Sequence, residues 1–457
     1  MGASPGTTHD ASDRPAPRTA PAATRNAGPT PDPTRPGRPA ADHLQPDGGF
    51  HHPGTGIGKA GGMEHSATAT SQRPALLRWL SGLPTAAALG ILVAVLCITG
   101  LVMVGSASPV VSLMTYHSPW MIFIRQTLWM VVGIGAMLVT ARIDYRRWRK
   151  WGVVLVIGTL GLLLAVLVPG LGVTAGGSSR WIGFGLLRLQ PSELMKLAIV
   201  MFAADIVARR MDRSAPAKQV IAPVIAVLVV SAALIIKQPD MGTAMVLSCT
   251  AFGILFMSGI PLVPLTKVLA AFAVIAVIFS VSDSYRRDRI LSFVNPGAHQ
   301  SGSGYQVWQS LIGLGSGHLF GLGLGGGREK WGTLPNAHTD FIFSVVGEEL
   351  GLVGAVLIMC LFFVLGWYGF RAASRAPDQF GCLMAAGVTI WVTSQAVINM
   401  GAVIGVLPVT GIPLPFISFG GSSLVITLAA MGILMNIALQ ERTGRRSSAP
   451  RRRLVRT

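Results

Sequence analysis

Stretches of about 18–25 almost wholly apolar residues recur from about residue 84 to about residue 438. Each is long enough to carry a helix across a bilayer core roughly 30 Å thick. They fall near 84–106, 120–141, 152–169, 191–208, 219–236, 241–260, 264–282, 341–368, 381–406 and 415–438, and no soluble domain interrupts them. In lipid every backbone polar group must be satisfied internally, so runs of this length and spacing have few solutions besides helices. With 51% of residues hydrophobic and 12% charged, there is too little polar material to cover water-facing domains built from the remainder. The sequence predicts an all-α polytopic membrane protein with about ten transmembrane helices. A long extracytoplasmic loop, residues 283–340, lies between helices 7 and 8.

The connections give the sidedness. Basic residues crowd the segment after run two (RIDYRRWRK, Arg142 to Lys150) and after run four (RRMDRSAPAK, Arg209 to Lys218). They recur after run eight (Arg371, Arg375) and after run ten (Arg445, Arg446, Arg451 to Arg453). Counted from a cytoplasmic N-terminus, all four fall on one side, as the preference of Lys and Arg for cytoplasmic loops requires. An odd number of spans would break the pattern. Residues 1–82, rich in Pro, Ala, Gly, Thr and Arg, cannot bury enough apolar surface to fold and read as a disordered cytoplasmic tail. This stretch holds no apolar core of a signal peptide, so the first span is expected to act as its own anchor. Residues 83–440 form the ten-span domain, and 441–457 a basic cytoplasmic tail.

Net charge of +18 might suggest a nucleic-acid partner, but the charges sit in tails and short connections rather than on a globular face. Cys97, Cys249, Cys360 and Cys382 all lie within apolar runs and form no CxxC pair, and they read as small hydrophobes. There is no HExxH, Walker A or GxSxG motif. The glycine-rich run Gly321 to Gly327 satisfies GxGxxG without a preceding strand or a βαβ unit, so it reads as a flexible or re-entrant loop.

Polar groups gather around span four, the start of span six, the long loop and the last outer connection, which points to a site on the outer face. Glu193 and Lys196, three apart at the start of span four, share a helix face and can pair. The pair is either a packing device or a cavity wall with Lys196 offered to an anion. Asp240 follows Pro239 where span six begins, and it is either a helix cap or a residue of the substrate cavity. Arg180 and Trp181 precede span four, where interfacial belt residues also occur. Lys330 and the arginines of the long loop place excess positive charge on the translocated side, which suits an anionic ligand. Asp340, with His338 two residues before it, sits where that loop enters span eight. It is either a plain helix cap or a carboxylate at the membrane–water boundary acting as a general base.

Several of these stretches together resemble one family. They are RWI (Arg180 to Ile182), QPSELMK (Gln190 to Lys196), QPDMGT (Gln238 to Thr243), YQVWQS (Tyr305 to Ser310), LPNAHTDFIF (Leu334 to Phe343), EELG (Glu348 to Gly351) and GIPLPFISFGGSS (Gly411 to Ser423). In this order they are similar to the SEDS family (shape, elongation, division and sporulation) over about residues 84–440. VMVGSAS in span one, RRDRILSFVNP in the long loop and GILMNIAL in span ten look most like its cell-division branch.

The resemblance implies the SEDS fold and a peptidoglycan glycosyltransferase of the inner (cytoplasmic) membrane, working at the division septum. Its implied substrate is lipid II, a disaccharide-pentapeptide on undecaprenyl pyrophosphate. Its implied partners are a class B penicillin-binding protein and other division proteins. The family's essential acidic residue corresponds to Asp340, its Glu–Lys pair to Glu193 and Lys196, and its Arg–Trp dipeptide to Arg180 and Trp181. No covalent cofactor is expected, and a divalent cation, Mg or Mn, is left open for the leaving pyrophosphate. Residues 1–82 lie outside the shared region. Two other readings fit the same spans, a lipid II flippase and a non-catalytic division scaffold. No internal repeat of the kind transporter folds carry is evident between the halves.

Overall fold

The structure, a computed structural model, describes residues 84–175, 178–184, 187–211, 216–281 and 304–447. The tail 1–82, the loop residues Asp283, Arg286, Arg287, Asp288 and Arg289, and the arginines at 451–453 lie outside the described residues. The described residues belong to one compact unit, Gln72–Thr457.

In chain order the helices are α1 (Thr85–Ala107), α2 (Pro109–Tyr116), α3 (Met121–Arg142), α4 (Tyr145–Trp148), α5 (Gly152–Leu167), α6 (Pro191–Met211) and α7 (Ala217–Lys237). They continue with α8 (Met241–Met257), α9 (Leu262–Val281), α10 (Tyr305–Ser316), α11 (Ile342–Ser374), α12 (Gln379–Val403) and α13 (Gly421–Ser447). Each predicted apolar run contains one long helix. Six of these, α1, α3, α7, α11, α12 and α13, are long and apolar enough to cross a membrane by length and composition. The apolar stretches of α5, α8 and α9 are shorter. Helix α6 is long enough but carries Glu193, Lys196, Asp205, Arg209 and Arg210.

The sequence predicted an all-α chain, and here the structure differs. Residues between α5 and α6 form a three-stranded antiparallel sheet, β1 (Val173–Ala175), β2 (Ser178–Phe184) and β3 (Leu187–Leu189), in the order β1-β2-β3. Ile182 pairs with Leu189 and Gly183 with Arg188. Strands this short close their own ladder across two hairpins, and they leave no long run for a hydropathy window to register.

The bundle is built around α6 and α12, whose Ile199, Leu383 and Trp391 are fully buried. On α11 the opposite arrangement holds. Leu352, Val356, Phe363 and Trp367 point outward, Phe363 with 75% of its surface exposed, the apolar belt expected of a helix facing lipid. Because lipid tails are as apolar as the side chains, helix contact depends on close fit at small residues. Gly432 of α13 shows this, since a methyl group there would collide with the Met137 carbonyl and the Thr140 hydroxyl of α3.

The basic connections predicted for one side meet at one end of the bundle. Arg146 bonds Asp378 at 3.0 Å and Gln440 at 3.1 Å. Arg149 and Arg209 share Asp205 at 2.6 and 2.7 Å, and Arg375 reaches Glu441 at 2.7 Å.

Helix α11 is two helices joined at Gly351, whose φ of 70° lies outside the range most side chains tolerate. The Glu348 and Glu349 carbonyls, released from the helical ladder, accept from Leu322 N and Gly323 N, each at 3.0 Å. Beyond the break, Leu352 N and Val353 N donate to the His318 and Leu319 carbonyls. The glycine-rich run is thus bonded to the break rather than hanging free.

Candidate active site

At the end of the bundle away from those basic connections, a cavity of about 450 Å³ is walled by α3, the sheet, the turn before α11 and the segment 410–423. Three guanidinium groups line it, Arg125 from α3, Arg180 from β2 and Arg188 from β3. Asp340 is the carboxylate among the lining residues, so the wall carries three positive charges against one negative.

Asp340 stands at the end of a tight turn. Thr339 N and Phe341 N both donate to the Asn336 carbonyl, at 3.0 and 3.3 Å, and Asn336 takes a left-handed φ of 60° that asparagine tolerates well. The cap position of α11 is Phe341, with no side-chain cap bond. Gly411 lies against the Asp340 carboxylate, where a Cβ would come within 3.6 Å of Oδ2.

Of the residues singled out in the sequence, Arg180 and Trp181 line the cavity with Asp340. Arg180 Nε donates to the Gln238 carbonyl at 3.0 Å and an Nη donates to that of Pro239, which ties the sheet to the α7–α8 junction. Asp240 lies behind the wall and caps α8. It accepts from Thr243 N at 3.1 Å and Thr243 Oγ1 at 2.9 Å, and also from Gln190 Nε2 at 3.2 Å.

Glu193 and Lys196 pair at 2.8 Å with side-chain exposures of 1% and 0%, so neither faces the cavity. They reach its wall through neighbours. Ser423, a lining residue, donates to Glu193 Oε2 at 2.8 Å, and Lys196 donates to Gln395 Oε1 at 2.7 Å while lying over the Trp391 ring.

Lys330 and His338 are not on the wall. Lys330 is buried against Glu349 at 2.6 Å and Ser106 at 3.0 Å, next to the Gly351 break. Excess charge in a long loop suggested a ligand contact, but here an acidic partner 19 residues further on takes it up. His338 accepts from Phe419 N through its carbonyl at 3.0 Å, and its ring lies 5.8 Å from that of Phe419, which lines the cavity. Burial pushes the imidazole pKa down to about 4, because an apolar setting disfavours the charged form. Its Nδ1 is buried without a hydrogen-bond partner among the described residues.

Two cavity cations escaped the sequence reading. Arg125 is the one charged residue inside the apolar run of α3 before Arg142, a signal that an intramembrane charge has work to do. Its Nη1 donates to the Tyr116 hydroxyl at 2.7 Å. Arg188 had no comparable mark in the sequence, since its strand was not foreseen. Among the described residues no group of three His, Cys, Asp or Glu side chains is arranged to hold a metal ion.

The arrangement can hold a diffuse anion beside a single carboxylate at a membrane surface. Known proteins are similar to this chain over the region that contains it. Residues 87–443 match the FtsW, RodA and SpoVE model of cell cycle proteins. The chain is 42% identical over 345 residues to the probable peptidoglycan glycosyltransferase FtsW of Geobacter metallireducens, covering 74% of this chain and 90% of that one. It is 39% identical over 350 residues to stage V sporulation protein E of Bacillus subtilis, covering 75% and 94%. Among solved structures it is similar to one described as showing structural coordination of polymerization and crosslinking by a peptidoglycan synthase complex. The TM-score there is 0.62 and the identity 28%, over 77% of this chain and 97% of that one.

Proposed function

From the premise that the chain belongs to the FtsW/RodA/SpoVE family of cell cycle proteins, we propose that it is a peptidoglycan glycosyltransferase that polymerises lipid II at this cavity during cell division. The observation that carries the reading is that one cavity wall presents the Asp340 carboxylate together with Arg125, Arg180 and Arg188. Glycosyl transfer from a lipid pyrophosphate needs a base for the attacking hydroxyl and positive charge for the leaving group.

In this reaction the 4-hydroxyl of one lipid II attacks the anomeric carbon of the growing chain. The new glycosidic C–O bond forms as the bond from that carbon to pyrophosphate breaks, and the pyrophosphate departs with the electron pair. Asp340 takes the hydroxyl proton. The three guanidinium groups, of which Arg125 and Arg180 are already bonded to the Tyr116 hydroxyl and to the Gln238 and Pro239 carbonyls, stabilise the charge that develops on the pyrophosphate. A divalent cation, Mg or Mn, would be held largely by the substrate's own phosphates, since among the described residues no group of three His, Cys, Asp or Glu side chains could hold one. Glu193 and Lys196 act from behind the wall, and Asp240 holds the start of α8 beneath the sheet.

Ten spans, with both termini cytoplasmic, would set the cavity at the outer face of the cytoplasmic membrane, where undecaprenyl tails keep both substrates within reach. The basic connections gathered at the other end of the bundle support that orientation. A class B penicillin-binding protein is the partner proposed to crosslink the product at the septum.

Purified protein in lipid nanodiscs, given lipid II, should produce glycan strands. The Asp340→Asn variant should fold and insert normally but polymerise on the order of a hundredfold more slowly or worse, the usual scale for loss of a general base. Turnover at the wild-type rate by that variant would sink the assignment.

A further inference from the structure

Two amides on one face of α12, Gln395 and Asn399, are one turn apart and almost wholly buried. Asn399 Nδ2 donates to two carbonyls at once, that of Asp340 and that of Ile412, each at 2.8 Å. Gln395 Nε2 donates to the Pro413 carbonyl at 2.9 Å, while its Oε1 accepts from Lys196 Nζ at 2.7 Å and Trp391 Nε1 at 3.1 Å. Both orientations are determined by these partners, since turning either amide over would set oxygen against oxygen or nitrogen against N–H.

The segment they grip has its internal bonds at its far end, where Ile417 N and Ser418 N donate to the Leu414 carbonyl and Leu414 N donates to Ser418 Oγ. Between Thr410 and Phe419 the backbone contains Pro413 and Pro415, which have no N–H to donate, and the Ile412 and Pro413 carbonyls find their donors on α12. Gly411, at the start of that segment, is the wall against which the Asp340 carboxylate rests. Asn399 therefore sets the separation between the Asp340 backbone and the wall facing its side chain. Asn399 Oδ1, meanwhile, is buried with no hydrogen-bond partner among the described residues. A core position that only needed filling would be served more cheaply by an apolar side chain than by an amide with one end unsatisfied.

We propose that Asn399 and Gln395 are positioning residues for glycosyl transfer. Asn399 fixes the Asp340 backbone against the Gly411 wall, and so the direction from which the carboxylate meets the attacking hydroxyl. Gln395 couples the same wall to the buried Glu193–Lys196 pair. Neither amide touches substrate, and both act through backbone carbonyls. The inference rests on the glycosyltransferase reading above.

The test uses full-length protein in nanodiscs with lipid II, following initial rates of glycan formation and hydrogen–deuterium exchange. Misplacing a catalytic group by about 1 Å costs on the order of a hundredfold. Asn399→Ala should therefore lower kcat by about tenfold to a hundredfold while KM moves by less than about threefold. Asn399→Ser, with a shorter donor able to reach one carbonyl, should recover part of the loss. Exchange should quicken in 336–341 and 410–416 and stay as in wild type in α1 and α3. If Asn399→Ala does not fold, Gln395→Met carries the same readouts. Wild-type kcat in a folded Asn399→Ala protein overturns the proposal, as does faster exchange spread evenly over the bundle. If wild-type protein makes no glycan under these conditions, it is the glycosyltransferase reading that fails, and the proposal with it.

Discussion

Two ion pairs lie buried at the cavity end of this bundle, and their surroundings separate them. Glu193–Lys196 and Glu349–Lys330 have nearly the same length, 2.8 and 2.6 Å, and all four side chains are almost fully withdrawn from the surface. The first hands its remaining bonding capacity to Ser423 and Gln395, and so to both flanks of the cavity. The second hands its own to Ser106 of α1, and so to the frame around the Gly351 break. Burial and pairing alone therefore do not mark a functional charge. What marks it is where the bonds left over after pairing lead.

If that distinction holds, the two pairs should fail differently. Removing one partner of a buried pair leaves an uncompensated charge, at a cost of about 3–5 kcal/mol. Lys196→Met should show that loss in thermal unfolding and also abolish polymerisation. The double variant Glu193→Gln/Lys196→Met should regain most of the stability without regaining turnover. A double variant that polymerises normally would reduce the pair to a packing device.

Lys330→Met should cost about 3 kcal/mol by the same argument, but the folded fraction should polymerise at close to the wild-type rate. Loss of turnover in correctly folded Lys330→Met protein would erase the contrast.

The smallest effect concerns pH. His338 packs against Phe419, and burial holds its pKa near 4, below its ordinary value of 6.5. The folded protein thus binds this proton less readily than the unfolded chain does. No contribution changes above about pH 6.5, and stability falls as pH drops from there towards 4. The loss should be on the order of 1 kcal/mol at about pH 5.5. His338→Phe should flatten that part of the unfolding profile, and an unchanged slope would show that the imidazole is not the group responsible.

Much of the frame could be read directly from the chain. Length and polarity of the runs locate the long helices, and a spacing of three sets Glu193 beside Lys196, where the two pair at 2.8 Å. Asp240 carried a cap signal that its bonds to Thr243 bear out. What the sequence hid was long-range. Arg125 and Arg188 are separated by 63 positions yet line one cavity, and nothing in the neighbours of either one states that they meet. Lys330 lies off the cavity wall for the converse reason. A charge in a loop looks available until the fold supplies a partner from another element. Asn399 and Gln395 drew no notice, because two amides in an apolar helix acquire meaning only from the carbonyls opposite them.

The break at Gly351 bears on how the molecule keeps its alignment. An unbroken spanning helix carries its outer end wherever its own length dictates. Here the portion from Ile342 to Leu350 is spliced onto the lower portion by chain from residues 318–323, much as a lap joint holds two beams. The height of Asp340 above the lower beam is then a dimension of the joint. Shortening the strap by a single residue would shift the carboxylate relative to Arg125, which is anchored on a different helix altogether.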